Sequence, residues 1–432
     1  MKSSLKKQKS CPHISKSVEK KKGCLMYILR KQYLEEIRKY YDSNLIKVLT
    51  GIRRVGKSVL LEQIREELKR DRNLDEEHII CINFEDITFS SIENANQLND
   101  YITACIKDER KYYIFLDEIQ HVKEFEKVLA SLKATKNVSI FVTGSNSKLL
   151  SGRLASLLVG RCKEFKIQPF TYKEFLDFYQ ENQLPLPTKP LHNYIRYGGM
   201  PQRLDYFLEK DIIAYLSDLF NGIVEKDICS SKSRIDKETF LNIAKYIISN
   251  SAKDFSPDNI VDYYNMNNSD KIQRVTLYRY LEKMEHACLI HRVKRYDIAS
   301  KRTLKSIEKQ FAMDTGLILA CSNSNRIFPS RALENLVYNE LIYRGYEVKI
   351  GKTYKGEIDF VTMKEGKKCF IQVAYLLSDE ETIIREFSPY NSVRDPSPKY
   401  VMSLDEFDMS QNGIAHINIE DWLLGKVDLF LS

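Results

Sequence analysis

No apolar run in this chain approaches the roughly 20 residues that a bilayer-spanning helix needs, so no membrane segment is expected. Close cysteine pairs are missing too. The nine cysteines, at 11, 24, 81, 105, 162, 229, 288, 321 and 369, show no metal-site spacing. That pattern points to free thiols in a reducing, cytoplasmic compartment. Acid is nearly absent from residues 1–25, which hold eight lysines and only Glu19. Seven of the eight net positive charges therefore lie in that segment, and the body is close to neutral. Bulk charge gives no reason to expect nucleic acid on the body; only local patches do.

Residues 1–25 also lack an apolar core, which excludes a secretory signal, and their composition is that of a disordered basic tail. Met26 stands just before the first periodic stretch, which makes 1–25 a candidate upstream extension that intact mass would test. At 432 residues, with 43% hydrophobic and 29% charged, the chain reads as globular with two to four domains.

What is present is most informative between Leu45 and Leu68. An apolar run, Leu45–Thr50, leads into Gly51-Ile52-Arg53-Arg54-Val55-Gly56-Lys57-Ser58, and an amphipathic stretch, Val59–Leu68, follows. Strand, glycine-bounded loop and helix in this order form a phosphate-binding loop. Gly51 and Gly56 permit tight backbone turns, so that the amides from Arg53, Arg54 and Val55 to Val59 face inward at an anion. The following helix aims its N-terminus at the same place. Lys57 suits the β- and γ-phosphates of ATP, and the Ser58 hydroxyl suits Mg2+.

Tyr112–Glu118 is an apolar run ending in two acids, as a buried parallel strand delivers them to the carboxyl edge of a sheet. Asp117 is the expected Mg2+ carboxylate, and Glu118 the expected group that orients and polarises the attacking water. A further strand, Val138–Thr143, ends in Gly144-Ser145-Asn146-Ser147. Ser145 and Asn146 either sense the γ-phosphate and hold water or only cap a helix starting at Lys148. Arg153 and Arg161 either neutralise γ-phosphate charge as an arginine finger, in trans from an oligomer, or lie on the surface.

Strands alternate with helices from Leu45 to Ile167, which gives an α/β fold on a five-stranded parallel sheet. The chain then divides into an ATPase domain (26–170), a helical lid (171–232), a winged helix-turn-helix (233–324) and a last α/β domain (325–432). The lid takes helices at Thr171–Asn182, Leu191–Arg196, Asp205–Leu208 and Asp211–Cys229, with a turn at Gly198-Gly199-Met200-Pro201. The winged helix takes helices at Thr239–Asn250, Ser256–Tyr264 and Val275–Met284. Its short strands, Ile290–Tyr296 and Lys309–Met313, lie around a polar turn at Ser300–Leu304. Arg274, Arg279, Lys283, Arg292, Lys294, Arg295, Lys301 and Arg302 would offer double-stranded DNA a basic surface, or the module only packs domains.

In the last domain, a helix (Ser330–Arg344) carries Glu334, and strands at Glu357–Met363 and Lys368–Ala374 meet in a hairpin at Glu365-Gly366-Lys367. Glu334, Asp359 and the end of the Lys368–Ala374 strand should converge. Nucleases of the restriction-endonuclease-like fold carry Glu-x-Lys on that strand; this chain reads Gln372-Val373-Ala374. Glu357 shares a face with Asp359, but the missing ligands argue for a degenerate site retained for binding or docking.

From Met26 to about Ser432 the chain resembles a family of prokaryotic AAA-like ATP-binding proteins with a C-terminal domain of unknown function and a restriction-endonuclease-like end. The resemblance rests on Gly51–Ser58, Leu116-Asp117-Glu118, Thr143–Asn146, Gly160-Arg161 and Gly198–Pro201, and then on Leu333-Glu334-Asn335, Glu357–Phe360 and Ile371–Val373. It implies an ATPase of the ASCE/AAA-like or signal-transducing type, with a homo-oligomer as a candidate assembly. The expected activity is Mg2+-dependent ATP hydrolysis coupled to the C-terminal half. The alternatives are a nucleotide-gated DNA- or protein-binding switch and an ATP-dependent nuclease.

Overall fold

The computed structural model describes residues 28–144, 149, 160–229, 235–268, 271–323, 326–354 and 356–430, without the side chains of 305–307. It forms two compact units. One takes the described residues up to Leu49, then Ser58–Gly144, and ends at Phe165; the other takes Thr50–Lys57 and runs from Lys166 onward.

The first unit is built on a five-stranded sheet. Its strands are β1 (Ile46–Thr50), β2 (Ile79–Asn83), β3 (Tyr112–Asp117), β4 (Val138–Thr143) and β5 (Cys162–Lys166), in the order β2-β3-β4-β1-β5. β2, β3, β4 and β1 pair in parallel. β5 borders β1, with the Ile46 N–H on the Arg161 carbonyl at 2.8 Å. The central strands β1, β3 and β4 are buried almost end to end. This is why they read as continuous apolar runs: helices cover both faces of a parallel sheet. Phe115 and Phe141 stack across β3 and β4 with ring centroids 4.8 Å apart. β4 lies between β1 and β3, so Thr143 at its end has Leu49 of β1 on one side and Asp117 of β3 on the other.

The second unit holds a seven-stranded mixed sheet. It comprises β6 (Ile290–Asp297), β7 (Arg302–Ala312), β8 (Glu347–Lys352), β9 (Glu357–Lys364), β10 (Lys367–Val373), β11 (Lys399–Ser403) and β12 (Ala415–Asn418), in the order β12-β11-β10-β9-β8-β6-β7. The β9–β10 hairpin turns through Glu365 and Gly366 at φ of 50° and 78°. Two successive positive φ values match the right-handed twist of the paired strands. Phe311 of β7 stacks on Tyr338 of the Pro329–Tyr343 helix with centroids 4.2 Å apart.

Three expectations change. The helices at Lys237–Ser249, Pro257–Asn267 and Arg274–His286 and the β6–β7 hairpin are present. The hairpin, however, is no free wing. β6 pairs in parallel with β8, Arg295 opposite Ile350, so the expected boundary at 324/325 falls between strands of one sheet. β7 also starts at Arg302, inside the expected polar turn, because Thr303 and Arg302 continue the ladder opposite Tyr296 and Asp297. Asp205–Leu208 is not a helix. Pro201–Asp205 forms a 3-10 turn, and the next helix begins only at Glu209, running to Ile223 and on through a π turn, Val224–Ile228. The short helix Thr315–Cys321 escaped sequence reading because it is buried on nearly every side and shows no apolar period.

Candidate functional site

The phosphate loop leaves the carboxyl end of β1 at Thr50, and its helix starts at Lys57 and runs to Arg72. Gly51 sits at φ 145°, where a Cβ would stand 2.3 Å from the Ile167 carbonyl oxygen, so no other residue fits. Lys57 is buried, and its Nζ donates to the carbonyls of Gly51 at 3.1 Å and Ile52 at 3.2 Å. The ammonium is therefore held over the loop's own backbone. Val55 packs its side chain inward and its N–H donates to the Ile52 carbonyl at 3.3 Å. Gly56 also has positive φ, and Ser58 and Val59 follow in the first helical turn.

Asp117 ends β3, and Glu118 turns the chain in the left-handed region at φ 54°. The turn is pinned from the neighbouring strand. The Thr143 hydroxyl accepts the Glu118 N–H at 2.9 Å and donates to Asp117 Oδ1. Glu118 is 8% exposed and takes a hydrogen bond from the Gln120 amide on Oε2. Ser58 and Asp117 line one cavity of about 520 Å3, together with Leu61, Arg65, Asn83 and Phe115. The first helical turn after the loop and the strand-end acid thus open on a common space. That donor set fits hydrated Mg2+, which needs few protein oxygens and keeps its waters. Thr143 and Gln120 carried no expected role; the signal for Thr143 was its place at the end of a buried strand.

Arg161 is exposed and stands just before β5, at the edge where the strands begin. The phosphate loop follows the other end of β1, about 13 Å along the strand at 3.3 Å per residue. On its own sheet Arg161 therefore stands at the edge opposite the carboxyl ends of the strands. Ser145, Asn146 and Arg153 lie outside the described residues.

In the second unit, the expected convergence of acids is found, with a partner that the sequence did not announce. Lys309 of β7 is buried and its Nζ lies 2.7 Å from Glu334 and 2.9 Å from Glu357. Arg295 of β6 takes the other Glu357 oxygen at 2.8 Å. Burial holds the Glu334 carboxyl well above its ordinary range, and its two carboxylate neighbours add to this while Lys309 opposes it. Asp359 accepts the Val373 N–H at 2.8 Å and donates its own N–H to Gln372 at 3.2 Å. Gln372 in turn donates to Glu386 at 3.1 Å. The side chains are thus committed to each other. Among the described residues, no group of three or more His, Cys, Asp and Glu is placed to hold a metal ion.

The expected basic surface is partly spent as well. Arg274 pairs with Asp258 at 2.8 Å, Arg292 with Glu308 at 2.8 Å and Arg295 with Glu357. Arg279, Lys294, Lys301 and Arg302 are exposed, and Lys283 is half-buried.

Comparison with known proteins was made against this geometry. Residues 43–176 match an AAA domain family, AAA_14, and residues 188–326 match a domain of unknown function, DUF8612. An uncharacterized protein of Haemophilus influenzae is 33% identical over 404 residues, covering 92% of this chain and 98% of that protein. The uncharacterized protein MJ1544 of Methanocaldococcus jannaschii is 30% identical over 393 residues, covering 88% and 85%. Among solved structures, the Aeropyrum pernix ORC2 protein in its ADPNP-ADP complexes aligns with a TM-score of 0.41 at 11% identity, over 74% of this chain and 95% of that one. AMPPCP-bound DnaA from Aquifex aeolicus aligns with a TM-score of 0.30 at 13% identity, over 60% and 89%. No helix among the described residues is long and apolar enough to cross a membrane.

Proposed function

The chain belongs to one family with the Haemophilus influenzae protein and MJ1544, with an AAA-type P-loop domain at residues 43–176, and on that premise we propose that it hydrolyses ATP with Mg2+. The observation that carries this reading is the shared cavity of Ser58 and Asp117, beside a Glu118 whose backbone is pinned by Thr143. Lys57 exchanges its bonds with the loop carbonyls for phosphate oxygens. Ser58 and Asp117 would hold Mg2+, which would supply charge neutralisation to the triphosphate. Glu118 orients a water and draws on its proton, and Thr143 fixes the angle between the two acids. Purified protein should turn over ATP, and Glu118→Gln should bind ATP while losing turnover. Turnover that survives this change would remove Glu118 from the role.

A second reading is contact with double-stranded DNA through the Arg274–His286 helix and the β6–β7 hairpin as a winged helix. It rests on the four exposed cations Arg279, Lys294, Lys301 and Arg302. A mobility shift over a salt series tests it, since phosphate contacts make binding fall steeply with salt. The helix Pro329–Tyr343, the β8–β9–β10 meander and the helix Glu380–Phe387 before β11 support a restriction-endonuclease-like last domain. The ion pairs of Lys309 favour docking over cleavage there. An arginine in trans, Arg161 included, requires a self-associated form, which mass photometry with and without ATP would reveal.

A further inference from the structure

Two arginines inside the phosphate loop reach far along the chain. Arg53 meets Asp227 through two contacts, Nη2 to Oδ1 at 3.1 Å and Nε to Oδ2 at 3.4 Å. The pair is well shielded, with side chains 21% and 6% exposed. Arg54, in the left-handed region at φ 67°, donates to Gln202 at 3.2 Å.

The two holding points differ in stiffness. Gln202 follows the Gly198–Pro201 turn. There the Gly199 N–H donates to Asp314 at 2.7 Å, and Arg203 Nε donates to the Gly198 carbonyl at 2.9 Å. A Cβ on Gly198 would stand 1.9 Å from Asp314, so the turn is closed on itself. Asp227, by contrast, sits in the π turn Val224–Ile228, with the Cys229 N–H on the Val224 carbonyl at 2.8 Å. A π turn is a rare local form of a helix and recurs at functional positions. It ends the helix that starts at Glu209, on the way to the three-helix segment at Lys237.

We infer that Asp227 is a positioning residue for the phosphate loop, and that a bound triphosphate competes with it for the Arg53 guanidinium. The inference rests on the reading of the loop as an ATP site. A guanidinium presents the same fork to phosphate as to carboxylate. A triphosphate in the loop carries more charge than one aspartate, so Arg53 turns to it and the π turn loses that ion pair. Arg54 on the stiff turn stays in place. Loop occupancy is thereby read at residues 224–228, the start of the path to the C-terminal half.

The test uses the full chain, a fluorescent ATP analogue for affinity, and hydrogen exchange of the amides at 224–229 with and without ATP. In the wild type, ATP should speed that exchange several-fold. Asp227→Asn removes the competitor, so it should tighten ATP binding about 3- to 10-fold, the equivalent of one shielded ion pair. Its exchange at 224–229 should be fast already and indifferent to ATP. A merely structural role would leave affinity unchanged or weaken it, and either result overturns the inference. So does a wild type whose 224–229 exchange ignores ATP, a measurement that needs no variant to fold. Lys57→Ala separates the two levels. If the wild type binds ATP no better than Lys57→Ala, the ATP reading itself fails. If it binds and Asp227→Asn changes nothing, only the coupling fails.

Discussion

Each unit gathers a pair of acids in one place, and the two treat them oppositely. In the first unit, Asp117 and Glu118 are held by a neutral hydroxyl, Thr143, and Asp117 lines an open cavity. In the second, Glu334 and Glu357 are held by a buried ammonium, Lys309. A hydroxyl positions a carboxylate without bringing a charge of its own to it. An ammonium satisfies that charge internally. Similar residue types therefore give a site able to act in one place and a structural knot in the other. The lesson is that an acid cluster is read through its partner.

The largest effect expected is at the first site. Glu118→Gln should lower ATP turnover about 100- to 10,000-fold, the range of a positioned general base, with ATP affinity within a few-fold of wild type. Thr143→Val keeps both acids but frees them, and should lose about tenfold, the equivalent of one hydrogen bond. A phosphate-release assay beside equilibrium binding checks both. Equal losses for the two variants would erase the distinction between acting acid and holding hydroxyl.

At the second site the expected loss is in stability. Lys309→Met strands buried carboxylates and should cost about 3–5 kcal/mol of unfolding free energy by urea titration. Adding Glu334→Gln should recover much of that. If Lys309→Met is neutral, the knot is not structural, and the contrast with Asp117 falls.

The smallest effect is a pH dependence in the second unit. The His291 ring packs on Tyr338, its Nε2 is buried with no hydrogen-bond partner among the described residues, and burial lowers its pKa to about 4. The unfolded chain takes up that proton near pH 6.5, the folded chain only near 4. Stability should therefore fall as pH drops through this window, by at most about 1.4 kcal/mol per unit. His291→Phe should flatten the acid limb of a thermal-melt series. An unchanged limb would show that other groups carry it.

Much of the first site was legible from residues alone. The phosphate loop is eight consecutive residues, and the acids directly end an apolar strand, so chemistry and local geometry share one stretch of chain. The β9–β10 turn was legible for the same reason, since Glu365 and Gly366 are themselves the turn. Asp205–Leu208 was misread because Pro201 starts a 3-10 turn earlier and ends it before a helix can form. That the β6–β7 hairpin joins a larger sheet was not legible, because pairing of β6 with β8 joins residues 55 apart and no local pattern records that.

Sequence by itself determined what can be written in short spacing: the anion-binding loop, the acids after Leu116, the alternation of strands and helices, and the lack of a long apolar helix. Tertiary structure alone decided which partner each charge meets. Thr143 reaches Asp117 across 26 residues, Lys309 reaches Glu357 across 48, and Arg53 reaches Asp227 across 174. The reason is physical. Backbone preferences and periodicity act over a few residues, whereas a buried charge is settled by whatever the packed fold places within about 3 Å of it.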